Sequence, residues 1–142
     1  MEPRLTLITL GVADVGRARA FYEALGFSAS PASAEGVAFF KAGGVVLALY
    51  DEADLASDLG RAVPARSGRS GAITLGHNTR SRAEVDRVLA DAARCGASDV
   101  KAAVATHWGG YCGYFSDPDG HIWEVAHNPA WPLDAGGMLE LP

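Results

Sequence analysis

The sequence predicts an α+β fold made of two βαβββ modules in tandem, and three observations indicate it. The tetrapeptide Ile-Thr-Leu-Gly occurs at 8–11 and again at 73–76, an offset of 65 residues (73 − 8). A helix-forming segment follows each copy, and a strong β-hairpin signal lies at 111–128. A fixed offset is typical of an internal repeat, and each module alone is too small to bury both faces of its sheet. We therefore expect two curved mixed sheets that pair around a cavity.

The first module is assigned to residues 1–60. Its first strand is the apolar, threonine-rich segment at 5–12. Asp14 stands where an N-cap belongs, the apolar residues that follow recur at helical spacing, and Gly26 ends a helix predicted over 14–25. The remaining elements are an extended segment from Phe27, strands at 37–41 and 45–50 joined through Ala-Gly-Gly, and a short helical turn at 52–59.

The second module is assigned to 71–128, after a linker at 61–70 that is rich in Pro, Ser, Gly and Arg. Ser81 and Glu84 form a capping box, which predicts a helix over 81–94. The later elements are a strand at 97–103, hairpin arms at 108–117 and 121–126, and a tail at 129–142 with several apolar side chains.

The last hairpin turns at Asp117-Pro-Asp-Gly, where proline presets φ, aspartate can bond back to the backbone and glycine accepts a positive φ. Its second arm carries a carboxylate, Glu124, between two apolar residues. Because side chains alternate along a strand, Glu124 shares a face with Ile122 and Ala126. That face is either solvated or turned into a cavity.

Composition excludes several classes of protein. The chain has 142 residues, a formal net charge of −5 and 49% hydrophobic residues, the balance of an ordinary globular domain. A basic stripe for nucleic acid is absent, and no apolar run reaches the roughly 20 residues that a membrane helix needs. Cys95 and Cys112 make no disulfide framework, and the N-terminus lacks a signal-peptide pattern. We expect a cytoplasmic protein with a small-molecule partner, and neither nucleic acid nor membrane.

Two segments, ITLGVADVGRARAFYEALGF at 8–27 and FSDPDGHIWEV at 115–125, resemble the vicinal oxygen chelate superfamily. This superfamily includes glyoxalase I, bleomycin resistance proteins and extradiol dioxygenases. The resemblance implies one domain over 1–142, made of paired βαβββ modules whose U-shaped sheets hold a ligand. In the enzymes of the superfamily, residues on the first and fourth strands of each module bind a divalent metal.

Carried over to this chain, that set of metal ligands is incomplete. The matching positions hold Leu7, Ala72, a residue on or near Ala48, and Glu124, of which only Glu124 can bind a metal. A catalytic metal commonly needs about three protein ligands. We therefore expect no metal site and no cofactor. A divalent metal such as Zn, Ni, Mn or Fe is the less favoured case.

The candidate ligand-binding residues surround the last hairpin: His107, Trp108, Tyr111, Tyr114 and Glu124. Glu124 is also the candidate catalytic residue, as a general base, and its alternative is a structural partner to an Arg or Tyr. The aromatic rings offer flat surfaces with polar edges, which suit an aromatic ligand, or they belong to ordinary packing.

Two functions remain open from the sequence. The first is a metal-independent binding protein that sequesters an aromatic or cationic compound. The second is an enzyme of the superfamily, a glyoxalase-like lyase or isomerase or a dioxygenase, with a substituted metal site or Glu124 as base. A homodimer is expected, because exposed sheet edges invite pairing and a two-fold dimer is the commonest closed assembly. Whether modules pair within or between chains is undecided.

Overall fold

The computed structural model describes residues 1–62 and 73–141, and the chain divides into two compact units, Met1–Ala65 and Arg66–Pro142. We call these unit 1 and unit 2. Most of the predicted linker at 61–70 lies outside the described residues, so the predicted module boundaries stay predictions. Of the helices in the described ranges, none has the length and apolar character needed to cross a membrane.

Unit 1 has the order β-α-β-β-α and a three-stranded sheet. The third strand of the unit is the central one, and it pairs parallel with the first strand and antiparallel with the second. Its elements are β1 (Leu7–Val12), α1 (Val15–Ala24), β2 (Val37–Ala42), β3 (Val45–Asp51) and α2 (Glu52–Leu59). The predicted strand at Phe27 is reduced to an isolated bridge between Ala29 and Phe40.

One face of this sheet forms the core of unit 1 with helix α1. Aromatic rings meet there edge-on or tilted, with Tyr22 at 5.6 Å from Phe27 and 5.9 Å from Phe40 between centroids. Such pairs add to the free energy gained by burial. Helix α1 begins as predicted, because the Asp14 side chain accepts a hydrogen bond from the Arg17 amide.

Unit 2 repeats the topology with a complete fourth strand, in the sheet order β4-β7-β6-β5. Strand β4 pairs parallel with β7, as β1 does with β3, and β6 and β5 add antiparallel. Its elements are β4 (Leu75–Asn78), α3 (Arg82–Arg94), β5 (Ser98–Ala105), β6 (Tyr111–Ser116) and β7 (Ile122–His127). The sequence therefore predicts the α+β fold and the order of these elements correctly.

Helix α3 covers one face of the unit 2 sheet. Val85, Leu89 and Ala92 are its buried residues, and Gly113 of β6 lets the helix come close: a Cβ on Gly113 would lie 2.5 Å from a Leu89 methyl. The predicted capping box forms in an altered way. Ser81 accepts from the Glu84 amide, but the Glu84 carboxylate accepts from the amide of Arg80 rather than of Ser81.

The tail after β7 folds back on unit 2. Its residues Leu133 and Leu139 form an isolated bridge. The guanidinium of Arg80 donates to the carbonyl oxygens of Leu133 at 3.0 Å and Asp134 at 2.7 Å. The tail is thus fastened through its backbone, while Trp131 and Leu141 keep 44% and 65% of their surface exposed.

Candidate functional site

The candidate site is one row of residues that crosses the unit 2 sheet from edge to edge. The register places Gly76 opposite Glu124, Glu124 opposite Tyr114, and Tyr114 opposite Lys101. Neighbouring strands are about 4.8 Å apart, so successive members of the row are within reach of one another. We call these four residues the transverse row. It brings a glycine, a carboxylate, a phenol and an ammonium onto adjacent strands.

The transverse row lies on the face of the sheet opposite helix α3. Gly113 and Phe115, which flank Tyr114 in β6, point the other way, and Gly113 is where Leu89 of the helix packs. Glu124 and Tyr114 are partly exposed, unlike the buried residues on either side of them. Their shared face confirms the alternation inferred for Glu124 from the hairpin.

A bulge in the edge strand β5 places Lys101 in the row. Val104 pairs with Cys112, and continuing that register without interruption would put Ala102 opposite Tyr114. The register shifts between Lys101 and Val104, so Lys101 takes that place. Its ammonium lies 5.5 Å from the centroid of the Tyr114 ring, which is a cation–π distance. The contact keeps the charge over this face of the sheet.

Tyr114 connects the charged members of the row. Its hydroxyl lies 3.7 Å from Cys112 Sγ, and Cys112 is buried. The pKa of the Tyr114 phenol is raised by its hydrogen bond with Cys112, by burial and by its hydrogen bond with the Glu124 carboxylate. The phenol therefore stays protonated through the neutral range and is a hydrogen-bond donor beside the carboxylate.

Gly76 leaves space next to Glu124. A Cβ built on Gly76 would meet no atom of the described residues within 4 Å. Glycine also lets a ligand come close to the backbone. Among the described residues, nothing obstructs the β4 end of the transverse row, which is adjacent to an acceptor (Glu124) and two strands from a donor (Tyr114).

The structure does not bring Tyr111 to this face. Tyr111 lies on the helix side, where its hydroxyl donates to Asp86 Oδ1 at 2.9 Å and the Arg82 guanidinium lies 5.5 Å from its ring centroid. Both partners belong to helix α3. Tyr111, one of the predicted ligand-binding residues, thus packs against helix α3 and is not part of the transverse row.

His107 and Trp108 occupy the turn between β5 and β6. This turn is closed by a hydrogen bond from the Gly110 amide to the Thr106 hydroxyl at 3.0 Å. The ring of Trp108 lies against Gly110, where any side chain would collide with it, and 42% of Trp108 stays exposed. Gly110 is four residues from Tyr114, or about 13 Å along the strand. His107 and Trp108 therefore lie at the end of the sheet, away from the transverse row.

Sequence reasoning missed Lys101 and the role of Gly76. The repeated Ile-Thr-Leu-Gly contains Gly76, so the signal for that position was present in the sequence. The sequence carries no such signal for Lys101, because its position in the transverse row depends on the bulge in β5.

The donors present do not fit the catalytic metal site of the resembling enzymes. Glu124 is flanked by a protonated phenol on one side and by a glycine on the other. Leu7 has no donor atom, and Ala72 lies outside the described residues. In unit 1 the register places Tyr50 opposite Gly11, so Tyr50, rather than Ala48, matches Glu124, and its hydroxyl donates to Asp58. Within residues 1–62 and 73–141, no group of three His, Cys, Asp or Glu could hold an ion.

Comparison with known proteins adds a family and several similar folds. Residues 4–125 match the family model described as Glyoxalase/Bleomycin resistance protein/Dioxygenase superfamily. A glyoxalase-related enzyme from Fulvimarina pelagi is similar at 35% identity, with a TM-score of 0.88 and 98% of each chain covered. A comparison with proteins of curated function gives no match.

Two more distant structures share the fold. A lactoylglutathione lyase from Agrobacterium tumefaciens is 22% identical, with a TM-score of 0.69, over 94% of this chain and 100% of its own. The fosfomycin resistance protein FosX from Mesorhizobium loti is 17% identical, with a TM-score of 0.65, over 90% of this chain and 93% of its own.

Proposed function

We propose that this chain, which belongs to the glyoxalase/bleomycin resistance protein/dioxygenase superfamily, is a metal-independent small-molecule binding protein. The proposed ligand is an aromatic or cationic compound that lies against the transverse row of unit 2. The observation that carries the proposal is the pairing of Glu124, an acceptor, with Gly76 on the adjacent strand, where a Cβ would have no atom of the described residues within 4 Å.

The chemistry of the row supports a ligand with a cationic or hydrogen-bond-donating group. A carboxylate has two oxygens and about four lone-pair sites, and the Tyr114 hydroxyl uses one of them. The rest can accept from an ammonium group, and such charge-assisted hydrogen bonds are about twice as strong as neutral ones. Tyr114 adds an aromatic surface one strand away.

Phenethylamine, an aromatic ammonium compound, tests this proposal by NMR-monitored titration. We expect shifts of the Gly76 and Glu124 amides, and at least about a tenfold loss of affinity in Glu124→Gln, because a hydrogen bond to a charged group contributes about 1.5–3 kcal/mol. Tyr50→Phe is the matched control, since it removes a phenol at the equivalent position of unit 1. Equal affinity of the wild type and Glu124→Gln would overturn the proposal.

A second candidate is a metal-free enzyme of the superfamily, favoured by the same donor–acceptor pair. The Glu124 carboxylate would take a proton from a carbon next to a carbonyl, while the Tyr114 hydroxyl turns its single proton from Glu124 to the carbonyl oxygen that gains charge. Hydroxyacetone in D2O is a suitable probe. Deuterium incorporation that the wild type accelerates and Glu124→Gln does not would favour this enzyme over the binding protein.

The metal-free state is part of the proposal and has its own test. The purified chain is expected to contain far less than one transition metal per chain, because the family's positions hold Leu7 and Ala72. Elemental analysis that finds about one Zn, Ni, Mn or Fe per chain, lost in Glu124→Ala, would contradict it.

We also propose a homodimer in which the tail of unit 2 takes part. Four apolar side chains of the tail are at least 38% exposed: Trp131, Met138, Leu139 and Leu141. Removing residues 130–142 is expected to weaken the dimer. Light scattering at micromolar concentration that shows a monomer for the full chain would contradict this.

A further inference from the structure

We infer that the ligand of the transverse row is a small zwitterion of the amino-acid kind, with its ammonium at Glu124 and its carboxylate at Lys101. This inference rests on the proposed function and deepens it by naming the class of ligand. It depends on Lys101, which adds a positive charge two strands from Glu124 on the same face.

The placement of the Lys101 ammonium is the first argument. An exposed lysine at a sheet edge would ordinarily extend into solvent, but this one lies 5.5 Å from the Tyr114 ring centroid. The Tyr114 hydroxyl in turn hydrogen-bonds to Glu124. The cation thus lies over the ring of the same phenol whose hydroxyl is beside the carboxylate. A ligand that covers this phenol meets both charges.

Charge balance is the second argument. Tyr114 is neutral at neutral pH, as a phenol ordinarily is. Lys101 and Glu124 therefore give the row one positive and one negative charge, with no net charge. A purely cationic ligand satisfies Glu124 but meets repulsion from Lys101, and a purely anionic ligand meets the reverse. A zwitterion is complementary to both.

The order of residues along the row is the third argument. From one edge to the other it reads Lys101, Tyr114, Glu124, Gly76. The ligand groups in matching order are a carboxylate, an ammonium and then an uncharged body over the space at Gly76. An α-amino acid carries these three groups on one carbon, so its side chain would lie over Gly76.

Three matched probes test the inference by isothermal titration calorimetry: L-phenylalanine, phenethylamine, which lacks the carboxylate, and 3-phenylpropanoate, which lacks the ammonium. We expect L-phenylalanine to bind about fivefold tighter than phenethylamine, the effect of one additional exposed ion pair. We expect 3-phenylpropanoate to bind most weakly. In Lys101→Gln the preference for L-phenylalanine should vanish, while the affinity for phenethylamine stays equal or rises.

The chain's other lysine provides the control. Lys41→Gln in β2 of unit 1 removes the same charge from the chain and is expected to keep the preference. The inference would be overturned if the wild type bound phenethylamine as tightly as L-phenylalanine. It would also be overturned if the preference for L-phenylalanine survived in Lys101→Gln. If phenethylamine still depends on Glu124 in that case, the proposed function stands alone. If none of the three probes binds, both fail.

Discussion

The two units share the pairing pattern of three strands and differ in what covers the matching glycine. In unit 1, Gly11 is opposite Tyr50, and a Cβ on Gly11 would lie 2.9 Å from a Leu55 methyl of helix α2. In unit 2, Gly76 is opposite Glu124, and a Cβ there would meet nothing within 4 Å among the described residues. The space is filled by the unit's own helix in one case, and none of the described residues fills it in the other.

Helix α2 accounts for this difference. It begins directly after β3, where the Asp51 side chain accepts from the amides of Ala53 and Asp54. It holds Tyr50 through Asp58 at 3.2 Å. Unit 2 has no helix after β7 in the described part of its chain, since a turn-rich tail follows instead. The space beside the matching glycine of a repeated fold thus depends on the connections after the last strand as well as on the topology.

The largest expected effect comes from filling the close approach of helix α3 to β6. In Gly113→Ala the new methyl would lie 2.5 Å from Leu89 and 2.7 Å from the Lys101 carbonyl oxygen, and the backbone oxygen cannot yield easily. We expect a loss of about 3 kcal/mol in the free energy of unfolding, measured by denaturant titration. Gly76→Ala is the control and is expected to change it by less than about 1 kcal/mol. Equal stability of the two variants would show that α3 packs differently.

Gly11→Ala tests whether helix α2 covers Gly11 in unit 1, and it should lower the free energy of unfolding by about 1 kcal/mol. The methyl meets the end of the Leu55 side chain, which can move, while Glu52 is at an ordinary contact distance of 3.6 Å. Combining it with Leu55→Ala should recover part of the loss, since the clash is then absent, and a double-mutant cycle measures this coupling. Strictly additive effects would mean that α2 does not cover Gly11.

The smallest effect concerns Tyr114 at alkaline pH, with Tyr50 of unit 1 as the comparison. The pKa of Tyr114 is raised, and an unfolded tyrosine titrates near 10. The folded state therefore holds the proton more tightly, and its contribution to stability is complete below about pH 10 and is lost as the pH rises above it. Tyr114→Phe should show a smaller loss of stability between pH 10 and 11 than the wild type.

Glu124→Gln sharpens the same measurement. It removes one of the groups that raise the pKa of Tyr114, so the phenol should titrate at lower pH in an ultraviolet absorbance titration. The pKa of Tyr50 is raised as well, chiefly by its hydrogen bond to Asp58, and should not respond to Glu124→Gln. An unchanged titration of both residues would exclude a Glu124–Tyr114 contact.

The sequence was sufficient for the fold because its local signals agree with one another. The caps at Asp14 and Ser81 place both helices within a residue or so of the observed bounds. The face of Glu124 followed from strand alternation alone. The extended segment at Phe27 was overestimated, because its residues join β2 through a single bridge at Ala29.

The site was harder to predict because it depends on pairing between strands that are distant in sequence. Tyr111 and Tyr114 look alike in sequence, but alternation sends Tyr111 to the helix side, where Asp86 accepts its hydroxyl. A regular hairpin register continued from Tyr111 would place Ala102 opposite Tyr114. Because of the bulge, Lys101 lies there instead. No residue type in β5 predicts a bulge of that kind.

The bulge in β5 also has a consequence for how such a site can change in evolution. A regular register would present the methyl group of Ala102 at the place that the Lys101 ammonium now holds. Gaining or losing one residue at this sheet edge, with β6, β7 and their hairpin untouched, therefore exchanges a cation for a methyl group. The charge on this face of the sheet can diverge in descendants of this chain by small insertions and deletions in an edge strand, a route that comparison of aligned side chains alone would overlook.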